Sequence, residues 1–290
     1  MAAGIAAIRG RLGNLMSGFL NEMARSSAQR VAQAAQREPL GALERRARAA
    51  SAGPALCLSP AGFDVIAELK LRSPAAGMLG DPGQDWLARV AAYARGGAAA
   101  VSVLTEPSRF DGSLAHLEQA ASVLTPLGIP AMRKDFIVDP YQVLEARAAS
   151  AGGVLVILRM LPRVRIAELL EVAAEHGLFV LLEAFDAADL ELAGELLEAQ
   201  RSLEQILLVG VNCRDLQTLQ VVPNRFAELA PRLPHGWPAV AESGVATGAD
   251  ARRMRRLGYR LALIGTALMS REDPTALLKE IFDETRTLPP

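Results

Sequence analysis

The sequence predicts an α/β protein, a (β/α)8 TIM barrel with an N-terminal helical extension, on three observations. Short apolar, β-branched runs recur eight times, amphipathic stretches separate them, and no composition break interrupts the 290 residues. Nearly continuous apolar strands imply a parallel sheet covered by helices. Eight such units close naturally into a barrel, and barrels of roughly 250 residues fold as one unit. An open doubly wound sheet is the structural alternative, weakened because no G-x-G-x-x-G follows the first strand.

Residues 1–60 precede the first strand and form the predicted extension. Leu12, Leu15, Met16, Phe19, Leu20 and Met23 fall on one helical face, and 37–48 reads as a second helix. So short a segment makes a poor core of its own, so it is expected to pack on the barrel spanning 61–290. Strands are expected near 63–69 (FDVIAEL), 99–104 (AAVSVL), 130–134 (PAMRK) and 153–158 (GVLVIL). Four more are expected near 178–183 (LFVLLE), 206–211 (ILLVGV), 238–242 (PAVAE) and 260–264 (RLALI). Helices are expected at 84–95, 114–124, 139–149, 163–176, 187–200, 224–230 and 248–257.

Composition limits the function classes. With 31 basic and 32 acidic residues, the net charge of -1 argues against nucleic acid or an anionic membrane as partner. Arg9, Arg11 and Asn14 interrupt the apolar start, so no signal peptide is read, and no apolar run approaches the roughly 20 residues of a spanning helix. Cys57 and Cys213 have no metal spacing, and a reducing cytoplasm is the simpler setting. Of the 31 basic residues only Lys70, Lys134 and Lys279 are lysines. Arginine stays protonated whereas a lysine can be tuned to exchange a proton, so the few lysines are candidates for chemistry.

Barrel enzymes carry their sites at the C-terminal ends of the strands. Read in order, those ends present Glu68 and Lys70, Lys134, Glu183, Asn212 and Arg214, Glu242 and Ser243, then Gly265 and Thr266. Any one of these charges could close the rim as an ion pair, but the whole set is costly to bury without function. Glycines in Glu242-Ser243-Gly244 and Ile264-Gly265-Thr266-Ala267 would let backbone N–H groups approach a phosphate, and Arg72 could add a cation. His116 and His176 fall in predicted helices and His235 in a turn, all expected at the surface, which leaves proton transfer to Lys and Glu. No metal-spaced cluster, Walker loop or nucleophile elbow is present, so neither metal nor cofactor is expected.

Together these segments resemble the indole-3-glycerol phosphate synthase family. The matching stretches are Ile66-Ala67-Glu68-Leu69-Lys70 with Arg72-Ser73-Pro74, and Ser102-Val103-Leu104-Thr105-Glu106 with Phe110-Asp111-Gly112-Ser113. Next come Arg133-Lys134-Asp135-Phe136-Ile137 with Asp139-Pro140-Tyr141-Gln142, and Gly210-Val211-Asn212-Cys213-Arg214-Asp215-Leu216. Ala241-Glu242-Ser243-Gly244-Val245 and Ile264-Gly265-Thr266-Ala267-Leu268-Met269 complete the set, which spans about residues 15 to 280.

The resemblance implies a carboxy-lyase of tryptophan biosynthesis. It would close 1-(2-carboxyphenylamino)-1-deoxyribulose 5-phosphate to indole-3-glycerol phosphate, carbon dioxide and water. By the same resemblance Lys134 is the general acid, Glu183 the base of the later dehydration, and Lys70 a second acid or the anchor of the carboxylate. Glu68 would orient the lysines, Asn212 and Arg214 would hold sugar hydroxyls and carboxylate, and Glu242 and Ser243 would line the pocket. Arg72, with Ser73 beside it, and Gly244, Gly265 and Thr266 would take the phosphate, and Phe110 and Phe136 would sandwich the anthranilate ring. Other enzymes of the tryptophan pathway are the candidate protein partners.

Several positions depart from the family's usual pattern. Arg72 replaces a common lysine, Ala75 a serine, Gly153 an aspartate, Phe185 a histidine and Cys213 an Asn or Ser, and the 194–205 segment is longer. These leave open a paralogue serving another indole pathway, a related phospho-sugar lyase or isomerase, and a non-catalytic barrel that binds a phosphorylated metabolite.

Overall fold

The computed structural model describes residues 18–286 except 61, 74–76, 79–84, 203, 216–217, 219 and 223. Among the described residues two helices, α1 (Gly18–Arg37) and α2 (Leu40–Ala49), precede the first strand. Pro39 stands between them, at the N-cap of α2, where its fixed φ ends one helix and starts the next. The second helix therefore begins three residues later than the apolar spacing predicts. Leu12, Leu15 and Met16 lie outside the described residues.

Eight parallel strands follow: β1 (Asp64–Leu69), β2 (Ala100–Leu104), β3 (Ala131–Lys134), β4 (Gly153–Ile157), β5 (Phe179–Ala184), β6 (Leu207–Asn212), β7 (Ala239–Glu242) and β8 (Leu261–Ile264). Each pairs with the next, and β8 closes on β1 with Ile66 opposite Leu263, so the sheet is a closed barrel rather than an open one. The connecting helices are α3 (Trp86–Arg95), α4 (Pro107–Phe110), α5 (Leu114–Leu124), α6 (Pro140–Ala148), α7 (Arg163–Glu175) and α8 (Ala187–Ala199). After them come α9 (Arg225–Leu229), α10 (Gly248–Arg256), α11 (Thr266–Met269) and α12 (Pro274–Arg286).

Local chemistry sets the helix starts. Asp85, Ser113, Asp139 and Asp186 each accept a backbone N–H of the first turn, and Thr247 with Asp250 forms a capping box. Pro140 at the first turn of α6 gives up an N–H that has no helical partner there.

The period-two alternation of the strands sorts their side chains. Val65, Ala67, Val180, Leu182, Val209, Val211, Ala241 and Ala262 join the layer packed under the helices. Ile66, Met132, Leu155, Leu181, Leu208, Val240 and Leu263 fill the barrel interior. Each fully buried aliphatic side chain contributes about 1.5–3 kcal/mol. Polar residues on the same inward rows sit nearer the C-terminal ends, which raises the functional site above an apolar plug. Among the described residues no helix is long and apolar enough to cross a membrane.

Gly153 and Phe179 share this interior. A Cβ at 153 would meet the Phe179 ring, Cδ1 and Cζ at 2.5 Å, so the aromatic ring occupies the room that a larger residue at 153 would need. Gly153 and Phe179 open their strands and pair with each other, so the departure at Gly153 is met by the next strand at the N-terminal end of the barrel, opposite the cavity.

Candidate active site

A cavity of about 350 Å³ opens at the C-terminal end of the barrel. Its wall includes Glu68, Lys70, Phe110, Lys134, Phe136, Glu183, Asn212, Arg214, Glu242, Ser243, Gly244, Gly265 and Thr266. The inward rows that deliver them are continuous with the interior plug. Thus β5 supplies Leu181 and then Glu183, β6 supplies Leu208 and then Asn212, and β7 supplies Val240 and then Glu242.

The lysines divide into two clusters. Lys70 Nζ lies 2.8 Å from Glu68 Oε1. Lys134 Nζ stands between two acids, 3.6 Å from Glu183 Oε2 and 3.7 Å from Glu242 Oε2. Burial by itself would lower the pKa of Lys134, but Glu183, Glu242 and Glu68 outweigh it and hold the ammonium above the ordinary lysine range. Lys134 is therefore cationic at neutral pH, and both of its ion pairs are longer than the Lys70–Glu68 contact.

The acids are held in unlike states. Burial would raise Glu68, yet Lys70 and Lys134 overcome this and keep it below the usual glutamate range. Glu242 is pushed well above that range, first by burial and then by the neighbouring Glu183 carboxylate, against the pull of Lys134. Among the described residues neither Glu242 oxygen has a hydrogen-bond partner, and neither does Glu183 Oε2. Unsatisfied buried oxygens beside a buried lysine suit a polar ligand that would complete them.

Asn212 fixes the other side of Glu183. Its Oδ1 accepts from the Arg214 backbone N–H at 2.9 Å and from Ser243 Oγ at 3.0 Å. Those donors orient the amide so that Nδ2 donates to Glu183 Oε1 at 2.6 Å. Ser243, a non-glycine residue, has φ 67°, and Gly244 follows with φ 72°. Such backbone geometry costs about 1–3 kcal/mol at a residue with a Cβ and is found at ligand sites. At Gly265 a Cβ would overlap Glu68 Oε1 and approach Lys70 Nζ to 3.2 Å, so this glycine makes room for the Glu68–Lys70 pair.

Three expectations change in detail. Arg72 lies outside the cavity wall, in a two-residue ribbon in which Arg72–Ser73 pairs with Gly77–Met78, and its half-exposed guanidinium faces Asp111 at 3.6 Å. Phe110 and Phe136 both line the cavity but pack against each other, centroids 6.3 Å apart and planes tilted 40°. They form one aromatic wall in this structure, not facing sides of a slot. His116 is half-buried rather than at the surface, its ring against Trp86 at 5.4 Å. His235 is exposed, His176 ends α7, and none of the three histidines lines the cavity.

Residues beyond the strand-end set complete the wall. Phe19 and Leu20 of α1 line the cavity, and the Phe19 ring meets Phe136 edge-on at 5.8 Å. Their place on the apolar face of α1 was visible in sequence, but which surface that face covers was not. Phe185 also lines the cavity, with the Arg159 guanidinium 4.7 Å above its ring. Cys213 points away into the helix-facing core, and burial pushes its thiol up to about 11, so it behaves as a small apolar side chain. Ala75 lies outside the described residues.

The family model for indole-3-glycerol phosphate synthase matches residues 20–281. The chain belongs to this family. An indole-3-glycerol phosphate synthase of Leifsonia xyli is 44% identical over 273 residues, covering 93% of this chain and 96% of the relative. The Salinibacter ruber synthase is 37% identical over 255 residues, covering 87% and 85% respectively. More distant solved structures share the fold alone. A 3-hexulose-6-phosphate synthase from Salmonella typhimurium has TM-score 0.58 at 13% identity, covering 77% of this chain and 98% of that one. A thiamine phosphate pyrophosphorylase from Pyrococcus furiosus has TM-score 0.54 at 14% identity, covering 77% and 95%. The family match takes in all eight strands and most of α1, so every residue of the cavity wall except Phe19 lies within the matched span.

Proposed function

We propose that this indole-3-glycerol phosphate synthase family member closes the pyrrole ring of 1-(2-carboxyphenylamino)-1-deoxyribulose 5-phosphate, releasing carbon dioxide and water. The observation that carries the reading is Lys134, a buried cation between Glu183 and Glu242 at the floor of a partly apolar cavity. Attack by a weak aromatic carbon on the ribulose carbonyl needs a positioned proton donor at the oxygen, and Lys134 is that donor. The cationic ring then loses its carboxylate as carbon dioxide, with the C–C electrons returning to the ring. Glu183, held by Asn212, is the base of the dehydration that follows. Positioned acid–base groups of this kind each give about 10²–10⁴ in rate.

Around this centre Lys70 is a second acid or anchors the substrate carboxylate, and Glu68 orients it. Asn212, Arg214, Glu242 and Ser243 bind the sugar and carboxylate. Gly244, Gly265 and Thr266, which line the cavity, take the phosphate, and Arg72 and Ser73 are the further candidates for binding it. The aromatic wall of Phe110 and Phe136 receives the anthranilate ring. Two free cysteines and a net charge of -1 support a cytoplasmic enzyme without nucleic-acid or membrane partners, with other tryptophan-pathway enzymes the protein partners to test.

The test mixes purified protein with the carboxyphenylamino-deoxyribulose phosphate and follows indole fluorescence, with Lys134→Ala as control. A signal that rises only with the unaltered protein is expected. Lys134→Arg keeps the charge but cannot release its proton, so it should bind substrate and lose most turnover. Near-normal turnover in Lys134→Arg would refute the assignment.

A further inference from the structure

The β3 end that carries Lys134 is gripped from both sides of the chain fold. Thr105 on the adjacent segment donates its backbone N–H to the Lys134 carbonyl at 3.0 Å and its hydroxyl to Asp135 Oδ2 at 2.7 Å. Arg133 donates to the same carboxylate oxygen at 3.1 Å and to Thr105 Oγ1 at 3.2 Å. The Phe136 N–H donates to Asp135 Oδ1 at 2.8 Å. Asp135, with a side chain at 0% exposure, is thus the hub of the backbone on both sides of Lys134.

The remaining bonds to this hub come from the N-terminal extension. Arg30 of α1 grips Asp135 with both terminal nitrogens, Nη2 to Oδ1 at 2.7 Å and Nη1 to Oδ2 at 3.0 Å. One turn earlier Ser27, fully buried, donates to the Phe136 carbonyl at 2.5 Å. It also accepts from Gln142 Nε2 at 2.8 Å, and Gln142 Oε1 in turn holds the Val138 N–H at 2.8 Å. Leu20, Met23, Ser27 and Arg30 fall on one face of α1, so the apolar stripe that seats the helix ends in two polar clamps. A forked guanidinium on a carboxylate fixes direction as well as distance, which a diffuse apolar contact does not.

We propose that Arg30, supported by Ser27, is a positioning residue for the ring-closure reaction: the extension sets the placement of Lys134 through Asp135. This rests on the role of Lys134 proposed above. Arg30 touches no substrate. It fixes the backbone one residue beyond the proton donor, and a misplacement of about 1 Å there can cost up to about 100-fold in rate. Removing it leaves Asp135 with the neutral donors Thr105 and Phe136 N–H and with the cation of Arg133, which is already shared with Glu145 at 3.0 Å.

The experiment measures kcat and KM by indole fluorescence, with thermal melting alongside, for Arg30→Met, Arg30→Lys and Ser27→Ala. Arg46→Met, which breaks an exposed pair with Glu38 in the same extension, is the control. The expected result is a kcat about 10–100-fold lower in Arg30→Met with KM within about threefold, partly restored by Arg30→Lys. Arg46→Met should keep its kcat. A folded Arg30→Met with unaltered kcat, or one that changes KM alone, overturns the proposal. If that variant fails to fold, Ser27→Ala decides: reduced kcat in a folded protein supports the clamp, and unaltered kcat overturns it. An unaltered protein without turnover would refute the functional reading itself, a result distinct from any of these.

Discussion

Glu242 and Gly210 share one space: the carboxylate on β7 lies where a side chain on β6 would begin. A Cβ at residue 210 would overlap Glu242 Oε1 and stand 2.9 Å from its Cδ. The register brings Gly210 opposite both Glu183 and Val240, so this missing side chain is what admits Glu242 beside Lys134. The glycine therefore belongs to the acid–base cluster although it carries no functional group.

Gly210→Ala should accordingly displace Glu242 from Lys134. The expected outcome is an overpacking cost of about 1–3 kcal/mol in melting or denaturant unfolding, with a clear fall in kcat. Gly210→Ala combined with Glu242→Ala should recover part of the lost stability, because the two groups compete for one volume. Additive destabilisation in the pair would show that the clash is relieved elsewhere.

Asp135 gives a prediction in acid. Burial would raise its pKa, but Arg133 and Arg30, with the Thr105 hydroxyl, hold it at about 2 against an ordinary 3.8. A depressed carboxyl pKa contributes stability that is present above the unfolded value and is lost as pH falls through the folded one. That contribution should be complete at neutral pH and fade between about pH 4 and pH 2. Asp135→Asn should lose roughly 2–3 kcal/mol at pH 7, and its deficit relative to the unaltered protein should shrink across that acid window. Urea unfolding at stepped pH values checks this; a deficit constant down to pH 2 would contradict it.

The strands were legible because each is a run of buried apolar residues ending in charge, a pattern that survives without knowing any neighbour. Their observed bounds differ from the sequence reading by about one residue at most ends, as in 64–69 for 63–69. Short pieces escaped: α4 is four residues and the ribbon at Arg72–Ser73 two, too little chain for a period to register. The candidate site was legible as a set of strand-end charges for the same reason. Its pairings were not, since Lys134 meets Glu183 and Glu242 only through the register of three separate strands. Arg72 shows the converse, a charge adjacent in sequence to the site that turns to Asp111 instead. The clamp from α1 joins residues 105 apart, and only the continuation of the Leu20–Met23 stripe into Ser27 and Arg30 hinted at it.

The interior exchange between Gly153 and Phe179 leads to the last prediction. Because the Phe179 ring fills the volume beside Gly153, the pair should behave as one packing unit at neighbouring positions of β4 and β5. Gly153→Ala should destabilise the barrel by about 1–3 kcal/mol through overpacking against a ring that cannot swing into the close-packed plug around it. Phe179→Leu alone should cost a similar amount by leaving unfilled volume. The double variant should melt above the sum of the single losses, because the added methyl enters space the smaller side chain has vacated. Its kcat should stay close to that of the unaltered protein, since neither residue lines the cavity. A loss of turnover larger than the loss of folded protein would show that the plug transmits strain to the acid–base cluster above it.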